Sequence, residues 1–300
     1  MNHPEQQYLD LMQRLLDTGD QRMDRTGVGT YSLFGQTLRF DLSDGRVPIF
    51  TTKKVAWRHA LKEMLWFLRG ETNIRSLLQG EPRVTIWSDW PHRRYVTETG
   101  DDIDMRAFED RVLEDAAFAE QWGDLGPVYG KQWRRWLGAD GQETDQVEVA
   151  LDQLKHNPGS RRIIVEGWNV GELAHMTLPP CHKTYQFWVS SQGRLSLMLN
   201  QRSADVLLGV PFNMVGASVF MTLMAAKAGL ELGELIWAGG DVHLYSNHLE
   251  QAKTQIARTP LQWPSLHYSG GDQPWESVQV SDFLLEHYDP QDPIRAPVAV

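Results

Sequence analysis

The chain is predicted to fold as an α+β, or mixed α/β, protein. Three observations predict this. Apolar residues recur at helical spacing in several segments, others alternate with the period of a strand, and the two kinds are interleaved along all 300 residues without a repeat, low-complexity tract or Gly/Ser linker. A composition that is 41% hydrophobic and 23% charged, with 12 Trp, supplies apolar surface for a large core and excludes a disordered chain. One domain spanning 1–300 is the simplest organisation.

Taken in order, Tyr8, Leu11, Met12, Leu15 and Leu16 form a helical stripe that ends at Gly19. A loop is expected over Asp24 to Thr30, then a strand in which Leu38, Phe40 and Leu42 alternate with polar residues before a turn at Asp44-Gly45. Trp57, Leu61, Met64, Leu65 and Leu68 make a second helical stripe with Glu63 bordering the core. Residues 91–104 are polar and read as the most loop-like part of the chain, leading into a helix with Phe108, Val112 and Leu113 on one face. A helix through Val147 to Leu154, an extended Arg162 to Trp168, and strands at Tyr185 to Val189 and Leu195 to Leu199 follow. A helix over Phe212 to Ala228, a short strand at Leu235 to Trp237 and a helix from about Ser246 complete the reading.

Twenty-nine basic residues against 39 acidic ones give a net charge of -10, which argues against a broad nucleic-acid-binding surface. An anionic ligand must therefore meet local positive charge. The first residues lack the basic and apolar pattern of a signal peptide, and the longest apolar stretch, near Ala217 to Ala226, is stopped by Lys227. A single cysteine allows no intrachain disulfide and no Cys-based zinc cluster, so a reducing, cytoplasmic setting is expected. The ten histidines show no spacing that favours a metal site.

That cysteine, Cys181, follows two prolines that fix the backbone. A lone Cys is most often core packing, so its surroundings must argue for more. Arg25 lies in a Gly-rich loop, Arg161 and Arg162 follow Pro158-Gly-Ser160, and Arg202 precedes Ser203 and Asp205. Guanidinium groups in such positions suit a doubly charged phosphate, and nearby positive charge favours a thiolate. Gly27-Val-Gly29 precedes a strand rather than opening a helix, so it is no dinucleotide fingerprint. His243 and Tyr245, two apart in an extended segment, share a face and can hydrogen-bond a ligand hydroxyl such as that of a sugar.

A series of motifs stands in one order: Asp24-Arg-Thr-Gly, Thr51-Thr-Lys53, Glu63-Met-Leu-Trp-Phe-Leu68, Thr85-Ile-Trp87, Gly123 to Trp133, Ser160-Arg-Arg162, Pro180-Cys-His182, Gln201-Arg-Ser203, Gly209-Val-Pro-Phe-Asn213, Gly240 to Tyr245 and Ala296-Pro-Val-Ala-Val300. Together they closely resemble the folate-dependent thymidylate synthase family, from about residue 5 to the last. The resemblance implies a three-layer fold in which a large mixed sheet packs against helices and forms a homodimer interface. It also implies a variable insertion at 91–122 and a closing segment at 296–300. Cys181 matches the thiolate that adds to C6 of dUMP, making C5 enolate-like so that it can attack the methylene of 5,10-methylenetetrahydrofolate. Arg25, Arg202 and Ser203 match the phosphate binders, joined by Arg161 and Arg162 from the other subunit. Asn213 matches the reader of the base edge, where Asp would suit cytosine, and His243 and Tyr245 match the ribose binders. Glu63 and Tyr129 match the residues placed for proton transfer at O4 and C5. Asp205 matches a residue serving both ligands and catalysis. The folate is expected against Ile86, Trp87, Trp90, Asp205, Leu208, Gly209 and Phe212, with Ala299 in the closing segment that excludes water. No metal is implied.

Some positions depart from the family pattern: Glu166-Gly167, Lys183, Asn200 and Gly216-Ala217. Clustered around the pyrimidine, they would admit a water, and capture of the C5 methylene by water makes a hydroxymethyl nucleotide. A pyrimidine nucleotide hydroxymethylase is therefore the alternative to the methyltransferase. A Cys-His hydrolase using Cys181 and His182 is disfavoured, because adjacent residues of an extended segment face opposite ways. A non-catalytic dimeric RNA-binding protein fits neither the filled catalytic positions nor the acidic charge.

Overall fold

A computed structural model describes residues 3–24 and 27–298. Six strands form one mixed sheet: β1 (Asp20–Arg22), β2 (Thr30–Asp41), β5 (Ile164–Glu166), β6 (His182–Val189), β7 (Arg194–Asp205) and β8 (Glu231–Tyr245), in the order β1-β2-β8-β7-β6-β5. Only β7 and β8 run parallel. Two small pairs lie apart, β3 (Trp136–Leu137) with β4 (Glu143–Thr144), and β9 (Ser265–Tyr268) with β10 (Phe283–Glu286).

The crossover between the parallel strands is α9 (Gly209–Ala228), which packs on β7 and β8 and also against α2 (Trp57–Leu68) and α8 (Gln146–His156). A parallel pair needs such a crossover, and a helix lodged between a sheet and other helices must be apolar all round. Val210, Met214, Val215, Val219, Phe220 and Leu223 are accordingly buried, each contributing roughly 1.5–3 kcal/mol. By length and composition α9 would cross a membrane, yet 78% of its apolar window is buried inside the protein. Trp133 of α7 (Tyr129–Arg134) stacks on Phe220, 5.5 Å between ring centres, tying α7 to this core. Elsewhere α1 (Gln6–Thr18) packs on β2 and on α10 (Leu249–Ile256), while α3 (Arg75–Leu78) contacts α2.

Two expectations are corrected. Residues 91–104 are not mainly a loop: α4 (Asp89–Thr99) runs through most of them, followed by α5 (Met105–Glu114) and α6 (Ala116–Trp122). Pro91 falls in the first turn of α4, where no intrahelical N–H bond is required. The pair Asp89–Arg93 lies at 2.8 Å one turn apart, and Gly100 in the left-handed region (φ 72°) ends the helix. Likewise the strand expected at Leu235 to Trp237 continues for 15 residues through Gly239 and Gly240. Those glycines break the apolar alternation because the site leaves no room: a Cβ on Gly239 would come within 2.4 Å of the Trp237 ring, and one on Gly240 within 2.9 Å of the Arg202 carbonyl oxygen.

Inward residues of β6, β7 and β8 are buried against α9, whereas the opposite face carries a row Ile164, Gln186, Met198, Ile236 and Arg39 across five strands. Trp188 on that face is 58% exposed.

Candidate active site

A cavity of about 850 Å³ opens at the C-terminal ends of β7 and β8, beside the first turn of α9. Register explains its polar floor. In the parallel pair Ser203 lies beside Asp241 and Asp205 beside His243, so alternate residues of two adjacent strands point the same way. Asp241 accepts from Ser32 Oγ (3.2 Å) and pairs with Arg22 (3.2 Å), and its carboxylate lies 3.3 Å from Nδ1 of His243. Tyr245 completes this edge, its ring 5.2 Å from that of His243.

Cys181 reaches the cavity from the turn before β6 and is half-buried. The hydroxyl oxygen of Tyr129 accepts from its backbone N–H at 2.8 Å and from that of His182 at 3.4 Å. With both bonds directed into the oxygen, the phenolic hydrogen remains available as a donor. Burial raises the Tyr129 pKa well above its ordinary value, as does the nearby Cys181 charge, so the phenol is un-ionised at neutral pH. Arg202 is anchored by Nε to the carbonyl of Pro180 and by Nη2 to that of Pro179, both at 2.8 Å. The carbonyls of the two prolines thus fix the guanidinium in the cavity wall that also holds Cys181, and it stacks over Trp168 at 5.3 Å.

Glu63, on α2, lines the cavity and is buried. Burial pushes its carboxyl up to about 8, partly offset by a 2.6 Å bond from the Trp87 indole N–H. At pH 7 it is therefore mostly a neutral acid, a proton donor facing the ligand space. His182 has the opposite displacement: burial lowers it to about 4, so its ring is neutral, with a contact to Asn213 working against the shift.

Asn213, one turn into α9, is oriented by a chain of hydrogen bonds. The Trp237 indole, which can only donate, gives to Gln201 Oε1 at 2.9 Å, and Gln201 Nε2 gives in turn to Asn213 Oδ1 at 2.9 Å. The polarity of both amides follows from that indole, leaving the Asn213 amine to donate into the cavity. Gly239 is what makes space for the Trp237 ring.

The opposite wall is apolar, formed by Ile86, Trp87, Trp90, Leu208 and Phe212, with Gly209 at the start of α9. Asp205 stands at its edge, Oδ1 accepting from the backbone N–H groups of Leu207 (3.0 Å) and Leu208 (3.3 Å). Val298 reaches the mouth from the C-terminal segment, which is held by a 2.7 Å contact of His248 Nε2 with the Pro297 carbonyl. Arg161 and Arg162 are exposed, just before the edge strand β5 and outside this cavity. Arg25 and Ala299 lie outside the described residues.

A family model for thymidylate synthase matches residues 6–300. The chain belongs to the thymidylate synthase family. It is 57% identical over 300 residues to the thymidylate synthase of a Cereibacter sphaeroides strain and 56% to that of Rhodopseudomonas palustris, each covering both chains entirely. A Zymomonas mobilis thymidylate synthase is 55% identical over 296 residues, 99% of each chain. Against this family background, none of the departing positions 166, 167, 183, 200, 216 and 217 lines the cavity. Asn200 pairs with Thr184 and Ala238 in the sheet, while Gly216 and Ala217 lie on the buried face of α9, Gly216 against Met64. They stand behind the residues that line the cavity rather than among them, Gly167 against His182 and Glu166 accepting from the Trp168 N–H. The cavity also takes in Gln201, Asp241 and Trp168, which the sequence motifs do not mark as site residues; period-two alternation with Ser203 and with His243 is the signal that points to the first two.

Proposed function

We propose that this chain methylates dUMP at C5 with 5,10-methylenetetrahydrofolate, giving dTMP and dihydrofolate. The observation that supports it best is the gathering of the Cys181 thiol, a protonated buried Glu63, the Tyr129 hydroxyl and an oriented Asn213 amide in one cavity. Cys181 as thiolate forms a bond to C6, and the displaced π electrons move toward C5 and O4. Glu63 donates toward O4, where that negative charge develops, and the Asn213 amine donates to the same edge of the base. Arg202 and Ser203, joined by Arg25, hold the phosphate, while His243 and Tyr245 take the ribose hydroxyl.

The apolar wall of Ile86, Trp87, Trp90, Leu208 and Phe212 fits a flat heterocycle, and Asp205 offers a carboxylate oxygen to its N–H groups. The folate supplies the one-carbon unit and the hydride. Tyr129, whose hydroxyl is left to donate, orients a bound water that takes up the proton lost from C5, and the segment ending at Val300, with Ala299, excludes further water until hydride transfer and release of the Cys181 thiolate. We assign Arg161 and Arg162 to the phosphate site of a second copy. The apolar row of exposed Ile164 and Met198 and half-buried Ile236, with Trp188 nearby, suits a self-complementary interface in a homodimer.

Incubation with dUMP and methylenetetrahydrofolate tests the reading. The expected products are dTMP by mass and one dihydrofolate per turnover, and Cys181→Ser is expected to abolish both. A hydroxymethyl nucleotide without folate oxidation would overturn it.

A further inference from the structure

A second cavity, of about 430 Å³, opens where the C-terminal ends of α2 and α7 meet the segment leading into α3. We propose that it is a separate anion site that takes a small phosphoanion such as pyrophosphate. Three guanidiniums line it, those of Arg69, Arg75 and Arg135, against one carboxylate, Glu71. That carboxylate is already engaged by the Ser76 hydroxyl and lies 3.8 Å from Arg69. In a chain of net charge -10, this is a concentrated excess of positive charge.

The arginines retain unused donors. Arg69 bonds through Nη2 to the Val278 carbonyl and Arg75 through Nη2 to that of Leu113, both near 2.9 Å or shorter. The Nε atoms of both are buried and reach no solvent, so an anion would meet the outer part of each guanidinium, the Arg69 side chain being 23% exposed. A guanidinium fork is shaped for the oxygens of a phosphoryl group. Arg135 makes no side-chain hydrogen bond or ion pair to any described residue. Gly70 (φ +74°) lets it sit there: a Cβ at that position would fall 3.1 Å from both Arg135 Nη1 and the Arg134 side chain.

A weaker explanation is that Arg69 and Arg135 only offset the negative ends of α2 and α7, where they are the C-cap residues. That accounts for the charge of Arg69 and Arg135 but leaves Arg75, and an Arg135 side chain that bonds to no described residue, unexplained. The helix ends oppose an anion with about half a charge each, which three guanidiniums outweigh. None of the lining residues is aromatic, so nothing stacks a nucleobase and the phosphoryl group itself is what the cavity suits.

Calorimetric titration with pyrophosphate, at constant ionic strength and with saturating dUMP to occupy the main phosphate site, tests this. Wild-type protein is expected to bind at one saturable site per chain. Arg135→Gln, at an exposed side chain, is expected to weaken binding about tenfold, the effect of losing a charge-assisted bond. Gln79→Glu, which adds a carboxylate at the rim, is expected to do the same without removing any packed group. Arg106→Gln, on an exposed part of α5 outside the cavity, is expected to change nothing. Absence of saturable binding, equal weakening by Arg106→Gln, or full affinity in both cavity variants would overturn the proposal.

Discussion

Glu63 and Glu5 are both buried glutamates, and what surrounds them could hardly differ more. Glu5, just before α1, accepts from the backbone N–H and hydroxyl of Thr51 at 2.8 and 2.7 Å and of Thr52 at 2.9 and 2.5 Å. Glu63 accepts one bond, from Trp87, and otherwise faces the cavity. Four donors use up the lone-pair directions of a carboxylate and make it a fastening between α1 and the segment at 51–52. One donor in a buried place leaves a carboxyl whose charged form is poorly solvated, so it keeps its proton to about pH 8. A buried acid is thus structural or chemical according to how many donors reach it, and the under-served one is where chemistry is placed.

Removing the acid from Glu63 is expected to have the largest effect. Glu63→Gln keeps the shape and is predicted to lower kcat by about 10²–10⁴ while the protein stays folded. Its stability should also respond to pH differently. Between its ordinary pKa of 4.5 and about 8, the folded chain holds a Glu63 proton that the unfolded chain has released. Stability therefore falls as pH rises through that window, and Gln removes this slope. His182 works in the opposite sense between about 4 and 6.5, where the unfolded chain binds the extra proton. His182 and Lys53, whose buried ammonium is lowered to about 8, also titrate near the ends of the interval from pH 6.5 to 8, so the Glu63 contribution is the difference between the wild-type and Glu63→Gln urea midpoints across it. A variant that loses as much stability over that interval as wild type would mean Glu63 is already ionised at pH 6.5.

At the other carboxylate the prediction reverses. Glu5→Ala strands two buried backbone N–H groups and two hydroxyls, costing about 3 kcal/mol in urea unfolding. Measured at a temperature where the variant remains folded, kcat should stay within a few-fold of wild type. A large kcat loss with little destabilisation would break the division between the two sites.

The same contrast decides what was legible in the sequence. Glu63 shows itself because it borders an apolar helical stripe, and a local pattern of that kind survives in a one-dimensional reading. Glu5 does not, because its partners lie 46 and 47 residues away and nothing local marks them. Cys181, Arg202, Ser203, Asn213, His243 and Tyr245 were readable from motifs and meet in the cavity. The linkage Trp237, Gln201, Asn213 was not, because it depends on how β7 and β8 pair and on a glycine that clears the indole. Helix and strand periodicity gave α1, α2, α8 and α9, whereas α4 was hidden by polar composition and by a proline that happens to occupy a first turn. What local pattern conveys is which face is apolar; what it omits is which distant donor satisfies which acceptor.

The smallest expected effect tests the single bond that separates Glu63 from complete isolation. Trp87→Phe keeps an aromatic ring in the apolar wall but removes the indole N–H, which lowers the Glu63 pKa by stabilising the carboxylate. Without it the carboxyl should hold its proton more tightly, moving the alkaline limb of the kcat profile upward by up to about one pH unit, the equivalent of one hydrogen bond to a charged group. The maximal kcat should change only a few-fold, since a protonated Glu63 remains in place. The direction is what matters. An alkaline limb that moves down, or stays fixed while kcat falls steeply, would show that the indole serves the folate wall alone and that Glu63 owes its proton to another neighbour.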